Sequence, residues 1–383
     1  MATLLPLNDM NTEAVRLKIR QIRADLGAVY REREAAIECI TLAALSRSHT
    51  LLVGPPGTGK SALFLGFLDS FLDARKFVTL VTKFGTEDEY FGPVKLSALK
   101  LDKWERNLEG RLAAVECAFL DEVFKGSDSV LNCLLMAMNE RVYKGQRIPL
   151  RLLVGASNEL PQEEILAAVY DRFLLRDVVE YIEADATWMS VVSTPPKYVA
   201  RVFLTLAEWE AACGAVDAMP LGERVVREML RIKTELKKGG VTCSDRRWIA
   251  LTQVLRAAAW LDGETEVTLD QLSVLQYGLW QKPTDRAAVK ATLSKIDGSA
   301  VSKAAVVIDD ALRIFAGRTI DPTRRREELP KVQAALESAA KNVALLFKDG
   351  LTKRAHERIA PKIKEVDDAN ATIKREMRAA YDL

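Results

Sequence analysis

The first apolar pattern in the chain is helical. Val15, Ile19, Ile22 and Leu26 are spaced by 4, 3 and 4 residues, which puts them on one stripe of a helix. The pattern predicts helix from about residue 11 to residue 47, with Gly27 separating a first helix from a second over Tyr30 to Ser46. The pattern then shortens. Thr50-Leu51-Leu52-Val53 reads as a short apolar strand, followed by a helix over Ser61 to Leu72 and a second strand, Phe77 to Val81. A third strand, Ala118-Phe119-Leu120, ends in Asp121-Glu122; Val130 to Glu140 reads as helix and Leu152 to Ala156 as a fourth strand. Short apolar strands alternating with helices predict an α/β fold, a parallel sheet covered on both faces.

Thr194-Pro195-Pro196 reads as a break between domains, and no strand pattern of this kind recurs beyond it. Thr205-Leu206-Ala207-Glu208 and Thr268-Leu269-Asp270-Gln271 are capping boxes, in which each end of the motif satisfies a free amide at a helix start. Leu221 to Lys238 reads as a helix stopped by Gly239-Gly240, and Ser244 caps another that runs to about Leu261. This second region is therefore all-helical. In the third, Val332, Leu336, Ala339, Val343 and Leu346 fall at helical spacing, with Gly350 as the stop. Ile359, Ile363, Val366, Asn370, Ile373 and Met377 form a heptad-like seam. The seam is too short to favour an intermolecular coiled coil, so packing within its own domain is expected. The resulting organisation is an N-terminal helical extension over 1–27, an α/β core over 28–193, an all-helical domain over 194–283 and a C-terminal helical region over 284–383.

Composition narrows the chemistry. With 49% hydrophobic and 28% charged residues in 383, the chain has the make-up of an ordinary globular protein. A net charge of +2 argues against a dedicated nucleic-acid binder. The five cysteines include no C-x-x-C pair, and an odd number in apolar runs predicts reduced thiols and a cytoplasmic protein. No run is long enough for a membrane span, and Met1 to Pro6 lacks the basic start of a signal peptide. Only His49 and His356 are present, which excludes a multi-histidine metal site.

Gly54-Pro55-Pro56-Gly57-Thr58-Gly59-Lys60-Ser61 matches G-x-x-x-x-G-K-[ST] at every position and lies where a strand runs into a helix. Glycines let backbone amides converge on phosphate oxygens, and the following helix points the positive end of its dipole at them. Lys60 supplies a full charge to the β and γ phosphates, and Ser61 offers a hydroxyl to Mg2+. Asp121-Glu122, at the end of the third strand, supplies one carboxylate to hold the metal through water and one to polarise an attacking water. Asn158, after the fourth strand, suits a water-orienting amide and equally a turn. Arg172 follows in Tyr170-Asp171-Arg172-Phe173, and Arg246 and Arg247 stand at a helix start behind Ser244. Arginine suits phosphate contact because it is planar and always charged, although an isolated arginine ordinarily forms a surface ion pair. Two further segments stay open. Gly85 to Gly92 mixes acids and aromatics and reads by default as a solvated loop. Glu140 to Leu150 reads as a hairpin turning near Lys144-Gly145, with Lys144, Arg147 and Arg151 available to a pore, a partner or solvent.

Together these residues resemble the MoxR branch of AAA+ ATPases, most closely its RavA-like members. The resemblance covers roughly residues 28–283 and rests on six stretches: Gly54 to Ser61, Phe119 to Lys125, Leu134 to Arg141, Leu152 to Pro161, Tyr170-Asp171-Arg172 and Ser244 to Trp248. It implies that Asp121 and Glu122 are the Walker B pair, Asn158 sensor 1, Arg172 an arginine finger reaching a neighbouring subunit, and Arg246 or the adjacent Arg247 the sensor 2 arginine of a helical lid. Tyr30 and its neighbours would flank the adenine. Leu96 to Leu112 would hold a hairpin inserted in helix 2, and 141–151 the hairpin before sensor 1. It further implies ATP and Mg2+ as ligands and hydrolysis of ATP to ADP and phosphate. The family's members form ring hexamers, act with a von Willebrand A domain protein and remodel protein substrates. No strand-rich insertion of the RavA kind is read in this sequence. Two alternatives remain: a structural assembly protein controlled by nucleotide, and a nucleic-acid motor.

Overall fold

The computed structural model describes residues 12–160, 164–195, 197–296, 300–317, 322–346 and 353–381. The expected stop at Gly350, the start of the N-terminal extension, and Pro161 and Pro196 of the quoted motifs lie outside these residues. The chain divides into two compact units. One comprises the chain to Pro220 with Val241–Leu261 and Val274–Arg286; the other comprises Leu221–Gly240, Asp262–Ser273 and Ala287–Leu383.

The first unit is built on a five-stranded parallel sheet. Its strands are β1 (Thr50–Val53), β2 (Lys76–Leu80), β3 (Cys117–Asp121), β6 (Leu152–Ser157) and β7 (Leu175–Val178), in the order β2-β3-β6-β1-β7. A separate antiparallel pair, β4 (Val142–Tyr143) and β5 (Gln146–Arg147), forms the expected hairpin. Its turn residues Lys144 and Gly145 both have positive φ, the conformation a two-residue hairpin turn requires. Around the sheet stand α1 (Thr12–Val29), α2 (Glu34–Leu45), α3 (Lys60–Leu68), the short α4 (Glu87–Phe91) and α5 (Leu96–Leu99), then α6 (Asp128–Glu140), α7 (Glu164–Arg172), α8 (Asp185–Ser193) and α9 (Leu206–Asp217). The strands β1, β3 and β6 are buried almost throughout, which explains their unbroken apolar sequences.

Val15, Ile19, Ile22 and Leu26 are buried, so the stripe read from spacing is the packed face of α1. Gly27 does not end that helix. It lies inside α1, and the chain turns afterwards at Glu32, whose backbone is left-handed. The capping box at Thr205 is complete, with Glu208 N donating to Thr205 Oγ1 and Thr205 N donating to Glu208 Oε2. Trp209, one turn further on, is buried and donates from its indole to Ala44 O at 3.0 Å, tying α9 to α2.

Three further expectations change. A fifth strand, β7, was absent from the pattern because Arg176 and Asp177 interrupt its apolar run; both are buried, since β7 pairs directly with β1. Residues 85–92 are not a solvated loop. Tyr90 and Phe91 are buried, and Phe91 stacks on Tyr143 at 4.2 Å between ring centroids. Glu87 accepts from Tyr143 Oη and from Lys144 Nζ, so it serves the β4–β5 turn, while Asp88 accepts from Arg106. The segment expected to hold an inserted hairpin carries α5 at its tip, closed by a single antiparallel bridge between Val94 and Arg106.

Helices α10 (Glu223–Lys238), α11 (Asp245–Asp262), α12 (Asp285–Ile296), α13 (Ala300–Ala316), α14 (Pro322–Leu346) and α15 (Lys353–Tyr381) complete the chain. In the second unit, Gln271 returns its side chain to Thr268 N at 2.9 Å, the reciprocal arm of the second capping box, although the element it opens is a 3-10 helix, Leu269–Tyr277. Helices α13, α14 and α15 share one apolar core. Ile359, Val366 and Ile373 meet Leu336, Val343 and Ile308 there, so the heptad-like seam is filled from within the chain. The architecture is an α/β fold with a parallel sheet, followed by helical regions.

Candidate functional site

The strand order decides where the chemistry meets. β1 lies between β6 and β7, and β6 lies between β1 and β3, so the carboxyl ends of β1, β3 and β6 open side by side on one edge of the sheet. Ligands of open α/β sheets bind at such an edge. Gly54 leaves β1 with φ +151°, and a Cβ there would sit 2.1 Å from Val179 O. Gly57 and Gly59 also have positive φ, and Gly59 caps α3. The loop is therefore a bend with glycines at its three positive-φ positions, ending on a helix N-terminus.

Lys60 organises its interior. Nζ donates to Gly54 O at 2.7 Å and Pro55 O at 2.8 Å, and stands 3.5 Å from Asn158 Oδ1. The ammonium is nearly buried, and desolvation pulls its pKa below the usual lysine value; Asp121 and Glu122 oppose that pull, and Arg33 adds to it. Ser61 Oγ lies 3.5 Å from Asp121 Oδ2, a pair of hard oxygen ligands suited to Mg2+. Asn158 Nδ2 donates to Glu122 Oε1, and Lys125 holds the other carboxylate oxygen at 3.4 Å. Glu122 itself has φ +53°, an unusual conformation for a residue with a Cβ, fixed by its amide donating to Asp121 Oδ1 at 3.1 Å. Lys60, Ser61, Asp121, Glu122 and Asn158 thus converge from three strands, and the donors and oxygens present fit a triphosphate with its metal.

Beside the loop lies a cavity of about 420 Å³, lined by Tyr30, Arg33, Thr58, Ala62, Tyr181 and Trp188 among others. It has aromatic and aliphatic walls, the surroundings a purine needs. Tyr30 Oη donates to Ala62 O at 3.0 Å, which pins the helix-connecting turn to α3. Arg33 Nε donates to Thr58 O at 3.1 Å, a contact with the loop itself. Glu32 accepts from the amides of Glu183 and Ala184 at 2.8 and 3.3 Å, joining the turn after α1 to the segment that leads into α8. Sequence reading pointed to Tyr30 and its neighbours but not to the contacts of Arg33 and Glu32, because Arg31-Glu32-Arg33-Glu34 looks like a solvated charge run.

Arg172 and Arg246 stand together in a different place. With Arg47, His49, Arg141 and Arg247 they line a second cavity of about 320 Å³, whose lining includes no residue of the 54–61 loop. Arg172 Nε finds no hydrogen-bond partner among the described residues, and its nearest countercharge is Asp171 at 3.8 Å. Arg246 is exposed; Arg247 is buried and spends its donors on backbone carbonyls. Arg141 caps the end of α6 from a left-handed backbone, donating to Met138 O at 2.7 Å and Arg47 O at 2.8 Å, and burial pushes it down to about 10.

Comparison with known proteins gives this arrangement a family. Residues 17–193 match the model of the MoxR domain found in MoxR-vWA-beta-propeller ternary systems, and residues 224–293 match an AAA lid domain. An uncharacterized protein of Methanocaldococcus jannaschii is 34% identical over 273 residues, spanning 70% of this chain and 71% of that one. The chain belongs to the MoxR family of AAA+ ATPases. A second M. jannaschii protein resembles this MoxR chain at 33% identity, covering 73% of it and 75% of the relative. A structural protein of Acidianus two-tailed virus is 26% identical over 53% of the MoxR chain but only 37% of its own length. A protein of Cytophaga hutchinsonii, described as a candidate ATPase, shares the fold with a TM-score of 0.60 at 18% identity, covering 74% of this chain and 94% of that one. Among the described residues of the MoxR chain, no helix is long and apolar enough to cross a membrane.

Proposed function

We propose that this chain hydrolyses ATP to ADP and phosphate and uses the cycle to remodel a protein substrate. The observation that carries the reading is the convergence of Lys60, Asp121, Glu122 and Asn158 at the mouth of the glycine-rich 54–61 loop. Lys60 and the loop amides bind the phosphates, and Tyr30 flanks the adenine. Ser61 and Asp121, the latter through water, would hold Mg2+, which would supply charge neutralisation on the phosphate oxygens. Glu122 orients a water for in-line attack and accepts its proton, and Asn158 holds Glu122 in place. Lys60→Ala abolishes nucleotide binding, whereas Glu122→Gln binds ATP and does not turn it over. Wild-type hydrolysis by either variant would sink the assignment.

Arg172 and Arg246 lie apart from the loop of their own chain, which favours action on a neighbour's nucleotide. That role requires an oligomer with a repeated head-to-tail interface, and we take it to be a hexameric ring. The family description names vWA proteins, and we propose a von Willebrand A domain protein as the partner and the cytoplasm as the setting. The functional boundaries we adopt are a core over 28–193, a lid over 194–283 and a C-terminal helical region over 284–383. A second reading, a nucleotide-controlled assembly protein, draws on the similarity to the viral structural protein. Slow turnover combined with ATP-dependent filament or ring formation would favour it.

A further inference from the structure

Two arginines are buried behind the turn that carries Arg172. Arg247, on α11, is 2% exposed, and its guanidinium donates to the carbonyl oxygens of Asp171 (3.2 Å), Phe173 (3.0 Å), Leu174 (2.6 Å) and Gly278 (2.5 Å). Arg176, on β7, is fully buried and donates to Tyr170 O at 3.0 Å and Phe173 O at 3.1 Å. Its guanidinium lies over the Tyr170 ring at 3.7 Å from the centroid. The carboxylate of Asp171 stands among three cations, 3.2 Å from Arg247, 3.9 Å from Arg176 and 3.8 Å from Arg172.

This is a costly way to hold a turn. Burial pushes Arg176 down to about 9 and lowers Arg247 as well; Arg247 also repels Arg176, and Asp171, Tyr170 and Cys243 offset part of the cost at both. Well-packed apolar residues commonly match or exceed the stability of such a cluster. What the guanidinium gives instead is geometry. Its planar fork fixes several acceptors at once, where a lysine has only a mobile point charge. The acceptors here are carbonyls on both sides of Arg172, and the arginine holding them is the sequence neighbour of Arg246.

We propose that Arg247 and Asp171 are positioning residues that lock the Arg172 turn to the start of α11, so that Arg172 and Arg246 present a preset pair of guanidiniums to one phosphate of a second copy's nucleotide. The inference rests on the reading of Arg172 as acting on a neighbour. A displacement of about 1 Å from such a geometry costs on the order of 100-fold in rate, so the lock is felt in turnover without touching the nucleotide of its own chain.

The test is complementation between variants. Arg172→Ala, Arg247→Lys and Asp171→Asn are measured for ATP affinity, assembly and turnover, alone and mixed with Lys60→Ala subunits. The lock predicts near wild-type ATP affinity and turnover about 100-fold down for Arg247→Lys and Asp171→Asn alone. Mixing with inactive Lys60→Ala subunits, whose Arg172 turn is intact, restores hydrolysis at the variants' own loops. Wild-type turnover by Arg172→Ala would remove the reading beneath the inference. Slow Arg172→Ala with fast Arg247→Lys and Asp171→Asn would overturn the inference alone. Loss of assembly in both, or no recovery on mixing while Arg172→Ala recovers, would give the pair a purely structural role and overturn it too.

Discussion

The side-chain amide of Asn158 donates to Glu122 Oε1 while its carbonyl oxygen stands 3.5 Å from Lys60 Nζ. One short side chain therefore touches both the residue that grips phosphate and the residue that addresses water. Asn158→Ala should lower kcat by roughly 10- to 100-fold, less than the ~100- to 10,000-fold a general base itself contributes, because Glu122 remains, and leave ATP affinity within about threefold of wild type. Parallel turnover and equilibrium-binding measurements decide this. A large loss of affinity with unchanged kcat would assign Asn158 to binding instead.

Gly54 has no room for a side chain. Its Cβ would meet Val179 O at 2.1 Å, and Val179 N is itself bonded to Val53 O at 2.7 Å, so the neighbouring strand end cannot retreat cheaply. Gly54→Ala should lose ATP binding and lower Tm, whereas Gly57, with nothing within 4 Å of its Cβ position, should show mainly the smaller cost of positive φ on substitution by alanine. Thermal melts with and without ATP compare the two; equal behaviour would contradict the packing argument.

His49 connects three elements from inside the protein. Nδ1 accepts from Leu153 N at 2.9 Å, which a doubly protonated ring could not do, and Nε2 lies 3.1 Å from Met138 O and against the Arg141 guanidinium. Burial, reinforced by the Arg141 guanidinium, holds its pKa well below the ordinary histidine value. The sign follows from linkage: the unfolded chain binds a proton that the folded chain refuses. The stability His49 contributes is fully present above about pH 6.5 and is lost as pH falls toward the folded pKa, by up to about 1.4 kcal/mol per pH unit. Urea midpoints at pH 7.5, 6.5 and 5.5 measure the decline. His49→Gln should flatten it, and an unchanged decline in that variant would place its origin elsewhere.

Tyr143 couples the β4–β5 hairpin to α4 by stacking on Phe91 and by donating to Glu87. Tyr143→Phe keeps the stack and removes the donor, so it should cost about 0.5–1.5 kcal/mol, and Tyr143→Ala should cost about 3–5 kcal/mol by loss of the ring as well. Denaturant unfolding separates them. Equal losses would mean that the stack contributes nothing.

Much of the site was legible because its chemistry constrains local sequence. Gly54 to Ser61 announces itself by composition and order, and Asp121-Glu122 by following an apolar strand. The capping box at Thr205 was equally readable, since its partners lie three residues apart. What the sequence concealed is set by contacts between distant residues. β7 was hidden because Arg176 and Asp177 look like surface residues until β1 and the segment near Trp280 enclose them. The buried role of Arg247 depends on carbonyls more than 70 residues away in the chain, as with Phe173 and Leu174. Gly27 misled in the other direction: a helix that packs through Ile22 and Leu26 tolerates an outward glycine at a modest propensity cost.

The account depends most on the 54–61 loop receiving ATP. Calorimetric titration of Mg·ATP into the wild-type chain and into Lys60→Ala addresses it directly. Saturable binding by the wild type that disappears in Lys60→Ala is the predicted result. A wild-type chain that takes up no nucleotide, or a Lys60→Ala chain that binds as tightly, would contradict it.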